Sequence, residues 1–100
     1  MASASKVHTI CTYMAEIRFE WNDGNRDHIA CHGVTPVEAE EVVAGDPIVL
    51  QIQYRYGERR VLCAGKTAKG RAIAVVYTVR EGRVRVVTAF PAKRSLREGL

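Results

Sequence analysis

Long apolar runs are missing from this 100-residue sequence, and none approaches the ~20 residues that a bilayer-spanning helix needs. The opening MASASKVHTICTYMAEIR has no apolar h-region of the secretory type, so we expect a cytoplasmic protein without a membrane partner. Cysteine is scarce. Cys11, Cys31 and Cys63 are odd in number and widely spaced, and no CxxC or Cys/His cluster of zinc type occurs. This argues against a disulfide framework and a structural zinc site, and free thiols are the expectation. A catalytic Cys31 beside His32 is disfavoured, because adjacent helix residues point in different directions. There is no internal repeat and no low-complexity segment. The length allows one domain with a modest core.

Carboxylates are also scarce, but only in the second half. Residues 14–54 hold two arginines against eight acidic side chains, whereas residues 55–97 hold twelve cations against Glu58 and Glu81. Nine of those twelve are arginine, the side chain best suited to bidentate phosphate contact. Such a split points to an anionic partner, and nucleic acid fits better than a basic face that merely keeps a sheet soluble.

Residues 1–13 lack a clear period and read as a weakly ordered extension, leaving 14–100 as the single domain. IRFEW (residues 17–21) alternates as a strand. Asn22 or Asp23 can cap a short helix that ends at Gly33. Thr35, Pro36 and Glu38 form a capping-box start for a second helix, which Gly45-Asp46-Pro47 ends. Strands follow at IVLQIQY, RRVLCAGK, RAIAVVYTV and RVRVVTAF, with turns at Tyr56-Gly57-Glu58, Lys69-Gly70 and Glu81-Gly82. The tail after Pro91 offers at most a short helix. The expected fold is α+β, with an N-terminal strand and two short helices on one face of a four- to five-stranded antiparallel sheet.

A two-residue loop at Glu81-Gly82 sets a register in which Arg80 faces Arg83, Thr78 faces Arg85, Tyr77 faces Val86 and Val76 faces Val87. The face with Ile73, Val75, Tyr77, Val79, Val84, Val86 and Thr88 then meets the helices. The face with Ala72, Ala74, Val76, Thr78, Arg83, Arg85, Val87 and Ala89 stays open, small-residued at one end and basic at the other.

FEWN, HIACHGVTPVEAEEVVAGDP and ERRVLCAGKTAKGRAIAVVYTVREGRVRVVTA, in that order, resemble the BrnT toxins. In that family the series runs approximately as a FEWD strand, a KHG(V/I) helix end, an (S/T)xEEA helix, an ER-strand, G(R/K)(T/S)xxGR, VVYTxR and RIISAR. The resemblance covers about Ile17 to Arg94. Related BrnT-like or DUF4258-like domains share the HGV and GR…VVT pieces. The resemblance implies a RelE-like fold, a type II toxin that cleaves RNA without metal or other cofactor, and a BrnA-like antitoxin as partner. Matched by motif, the catalytic candidates are Arg60, Arg71, Arg85, Thr78, Thr88 and His32. The RNA-binding candidates are Lys66, Thr67, Lys69, Arg80, Arg83, Lys93 and Arg94. Against catalysis, the Tyr77 ring reads as core, and His32 suits a helix C-terminus, where the dipole favours an imidazolium. Glu58 and Glu81 sit in turns, where either can serve as a base. Phe90 and Pro91 stand where the family carries Arg and Lys. The alternative is therefore a non-catalytic binding module using the same basic face for a protein or nucleic acid. Self-association stays open.

Overall fold

The computed structural model describes residues 17–93. The elements run β1 (Phe19–Glu20), α1 (Asp23–Ala30), α2 (Pro36–Ala44), β2 (Ile48–Arg55), β3 (Glu58–Lys66), β4 (Ala72–Arg80) and β5 (Arg83–Pro91). This is the expected α+β order. The extension at 1–13, Arg94 and the tail beyond it lie outside the described residues.

Both helices start where local hydrogen bonding dictates. Asn22 and Asn25 exchange side-chain and backbone bonds at the head of α1, and Thr35 and Glu38 do the same at α2. Each reciprocal pair satisfies two of the backbone N–H groups that a helix start leaves open. Two-residue loops at Tyr56-Gly57 and Glu81-Gly82 join β2 to β3 and β4 to β5, with positive φ at all four positions. Glycine takes the second position freely, and this mirror-type turn matches the right-handed twist of the strands.

The five strands order as β1-β5-β4-β3-β2. Two expectations need correction. The first strand shrinks to two residues, and it pairs with β5 in parallel, Phe19 against Val84 and Glu20 against Arg85, so the sheet is mixed. The chain leaves β1 directly into α1 and cannot form a hairpin with a strand that lies six elements later. The second correction is a β-bulge. The β4–β5 register holds from Arg80–Arg83 to Tyr77–Val86, then shifts so that Val76 faces Thr88 and Val75 faces Ala89. Val87 is the extra residue. Because side chains alternate, one insertion exchanges the two faces beyond it. Ala89 therefore enters the core and Thr88 moves to the open face.

Helix α1 packs on β5, and α2 packs on β3 and β4. The core between the layers holds Ile29, Val34, Ala39, Val42, Val43, Cys63, Ile73, Val75, Val86 and Ala89. Gly65 lets α2 come close to the sheet, since a Cβ there would sit 3.3 Å from Cγ1 of Val42. The Trp21 indole donates to Glu40 at 2.7 Å and ties the end of β1 to α2. Burial pushes the Cys63 thiol up to about 11, and it behaves as a small apolar core residue. Tyr77 packs against the core as expected, its phenol raised by burial.

Candidate nucleic-acid interface on the open sheet face

The face of the sheet away from the helices gathers most of the arginines. Alternation places Glu58 and Arg60 of β3, Thr78 and Arg80 of β4, and Gln53 and Arg55 of β2 on this side. In β5, Arg83 stands opposite Arg80 and Arg85 opposite Thr78, while in β2 Arg55 stands opposite Glu58 and Gln53 opposite Arg60. Two cross-strand rows result. One runs Arg85, Thr78, Arg60, Gln53, and the other runs Arg83, Arg80, Glu58, Arg55.

The paired register of β3 with β4 stops at Val61–Tyr77. Beyond it the Thr78 hydroxyl reaches across and donates to the Arg59 carbonyl at 2.8 Å. The parted strands border a shallow cleft of about 390 Å³ lined by Gly57, Glu58, Arg59, Val61, Thr78, Val79 and Arg80. Glu58 is the one carboxylate in that lining. Its two oxygens accept from Arg60 Nε at 3.2 Å and from Arg80 Nε at 3.4 Å. The Arg60 hydrogen bond, followed by that of Arg80, holds its carboxyl below the usual carboxylate range despite some desolvation. Glu58 is thus ionised at neutral pH and sits among arginines, each a ready phosphate ligand.

A second concavity, of about 220 Å³, is lined by Gly24, Asn25, His28, Arg85, Val86 and Val87. Arg85 therefore belongs both to the arginine rows and to this second concavity. His28 stacks edge-on to His32 at a centroid distance of 5.3 Å, and His32 lies 6.5 Å from the Phe90 ring. Sequence reasoning selected His32 and passed over His28.

The other sequence candidates scatter. Arg71 lies on the helix side of the sheet, where its Nη1 donates to the Gly33 carbonyl at 2.9 Å and to both Glu38 oxygens at 2.9 and 3.0 Å. Thr67 is buried and closes the β3–β4 loop, its hydroxyl accepting from the Arg71 amide at 3.1 Å. Lys69 is exposed on that loop. Lys66 is exposed and pairs with Ala72 at the end of the sheet remote from the arginine rows. Thr88 is half-buried, and Lys93 is exposed just past β5.

Arg71 and Glu38 together clamp the α1–α2 junction to the β3–β4 loop. The pair is partly exposed, so Arg71→Ala is expected to cost about 1 kcal/mol in urea unfolding. Glu38 is lowered from its ordinary 4.5, first by the Thr35 backbone N–H and then by Arg71. A carboxyl depressed on folding stabilises fully above its unfolded value, and that stability is lost as pH falls through the folded value. The melting temperature should therefore drop as pH falls below about 4.5, and Glu38→Gln should flatten that drop.

Among the described residues no helix is long and apolar enough to cross a membrane. A comparison with curated proteins finds no match. A family model described as the ribonuclease toxin BrnT of type II toxin–antitoxin systems matches residues 21–95. With most of its length covered, the chain belongs to the BrnT family of ribonuclease toxins.

Proposed function

We propose that the two arginine rows bind RNA and that Glu58 cleaves it without a metal ion. The observation that carries this reading is the Glu58 carboxylate held between Arg60 and Arg80, on a face that neither helix of the described residues covers. An incoming phosphodiester competes for both guanidiniums, because phosphate offers them a matching pair of oxygens. Glu58 loses its partners as the phosphate arrives, and its basicity rises toward that of an ordinary carboxylate. It then takes the proton of the ribose 2′-hydroxyl. The 2′-oxygen attacks phosphorus, the bond to the 5′-oxygen breaks, and that oxygen leaves with a proton from solvent. The products are a 2′,3′-cyclic phosphate and a 5′-hydroxyl. Arg60, Arg80 and Arg85 stabilise the charge that builds on the phosphorane.

Arg83 and Arg55 extend the phosphate track, and Lys66, Lys69 and Lys93 are peripheral contacts along the bound strand. Thr78 supports the cleft through its bond to the Arg59 carbonyl. Thr88, which the bulge turns to the open face, adds a contact from β5, whereas His32 lies past the end of α1 beside His28 and Phe90. Arg71 and Thr67 serve the site indirectly, through the loop they close. The RelE-like arrangement implied by the resemblance belongs to the same reading. A type II toxin has an antitoxin partner, and an antitoxin that lays carboxylates over the arginine rows would silence this site. One observation favours a purely binding role instead. Phe90 and Pro91 occupy positions that are basic in the family pattern, and Phe90 packs toward His32.

The test is RNA cleavage and RNA binding in EDTA by the wild type, Arg80→Ala and Arg85→Ala. Cleavage should survive the chelator and fall ~10²-fold or more in each variant, the usual loss on removing a transition-state cation. Each variant should also reduce the salt dependence of binding by about one phosphate contact. RNA bound in a salt-dependent way but left intact would support the binding module. A folded protein that neither binds nor cuts would overturn both readings.

A further inference from the structure

Among the described residues the helices cover β3, β4 and β5, and β2 is an edge strand with all eight residues exposed. Most of the large apolar side chains exposed in the described residues lie here: Ile48, Val49, Leu50, Ile52, Tyr54 and Tyr56. Tyr54 is 74% exposed and Ile52 49%. Soluble proteins usually blunt such an edge with lysine, proline, inward charge or a bulge. Between Ile48 and Gly57 the only charge is Arg55. A bulge interrupts the strand between Val49 and Gln51, but residues 51–55 pair regularly with β3.

From this edge we infer that β2 pairs antiparallel with β2 of a second copy of the chain, about a two-fold axis through Gln53. The hairpin fixes which backbone groups are free. Arg55 and Glu58 flank a two-residue loop and form a hydrogen-bonded pair, so by alternation Gln53 and Gln51 also bond inward to β3. Ile52 and Tyr54 then direct their N–H and C=O groups outward. With the axis at Gln53, Ile52 of each copy faces Tyr54 of the other, and both pairs can form two backbone hydrogen bonds. The side chains agree with this register. On the helix side, two isoleucines and two tyrosines cover one another. On the open side, Gln53 meets its own copy and Arg55 meets Gln51. Like charges nowhere face each other, which a cross-strand pairing requires. An acidic partner strand would find a single cation on this edge, whereas the arginine rows offer several. The symmetric pairing also sets the two arginine faces on the same side of one continuous ten-stranded sheet.

The test uses the purified full chain and two substitutions. Gln53→Cys, in a background with Cys11→Ser and Cys31→Ser, sets two thiols across the axis. Pairs without hydrogen bonds bring their Cα atoms to about 4.5 Å, which a disulfide can span. Mild oxidation should give a covalent dimer, and sedimentation of the wild type should give twice the chain mass. Ile52→Lys, which alters only an exposed side chain, should keep the circular dichroism spectrum and lose both the dimer and the cross-link. A monomeric wild type at ~100 μM, weaker than the micromolar range of ordinary specific association, would overturn the inference. So would a dimer that persists in Ile52→Lys, or a Gln53→Cys variant that cross-links only to a co-expressed antitoxin.

Discussion

Glu58→Gln is expected to slow RNA cleavage by ~10²–10⁴-fold, the usual contribution of a positioned general base. Glutamine keeps the size of the side chain, and its single amide oxygen can still accept from one of the two arginines, so the cleft should largely hold its shape. What is lost is the group proposed to take the 2′-hydroxyl proton. RNA affinity should stay level or rise, because two arginines are released from a competing carboxylate. Single-turnover cleavage in EDTA beside fluorescence anisotropy separates the two effects. Glu81 provides the control: it lies exposed in the β4–β5 loop, and Glu81→Gln should leave the rate unchanged. Equal losses of binding and cleavage in Glu58→Gln would remove the base from this account. The rate should also fall on the acid side as Glu58 is protonated, and that limb should vanish in the glutamine variant.

Asn25→Ala is expected to destabilise the fold by about 3 kcal/mol, near the upper end for a single substitution. Asn25 is buried, and its amide joins three elements. Its Oδ1 accepts from the Asn22 amide at 2.8 Å, while its Nδ2 donates to the Glu20 carbonyl at 3.0 Å and the Val86 carbonyl at 3.2 Å. Alanine leaves buried backbone groups without partners, each costing ~1–3 kcal/mol, and removes half of the capping box. Urea unfolding of the two proteins measures this. Asn25→Asp should be similarly damaging, since a carboxylate cannot donate to either carbonyl. A loss below about 1 kcal/mol in Asn25→Ala would mean that water replaces the amide.

Both helix starts were legible because each is written in a few adjacent residues, Asn22 with Asn25 only in part and Thr35 with Glu38 in full. The β4–β5 hairpin was legible for the same reason, and its loop carried the face assignment correctly as far as Val86. The bulge was not legible, because Val86 and Val87 are alike and either can face the core. That single ambiguity placed Thr88 and Ala89 on the wrong faces. The parallel pairing of β1 was hidden because it rests on Asn25, a polar residue whose contacts lie 5 and 61 positions away in sequence. That Arg80, Arg83 and Arg85 share a face with Thr78 was readable from the hairpin register. The Glu58–Arg80 ion pair was not, because it requires knowing where β3 and β4 part. Arg71 shows the converse limit: its motif suggested the site, while its guanidinium bonds Glu38 and Gly33.

The most direct test of metal-independent cleavage on this face is the chemistry of the cut ends. RNA incubated with the wild-type protein in EDTA should yield 2′,3′-cyclic phosphate and 5′-hydroxyl termini, and a strand with a 2′-deoxy sugar at the cut should stay whole. Intact RNA from a folded protein, or termini bearing a 3′-hydroxyl and a 5′-phosphate, would contradict the account.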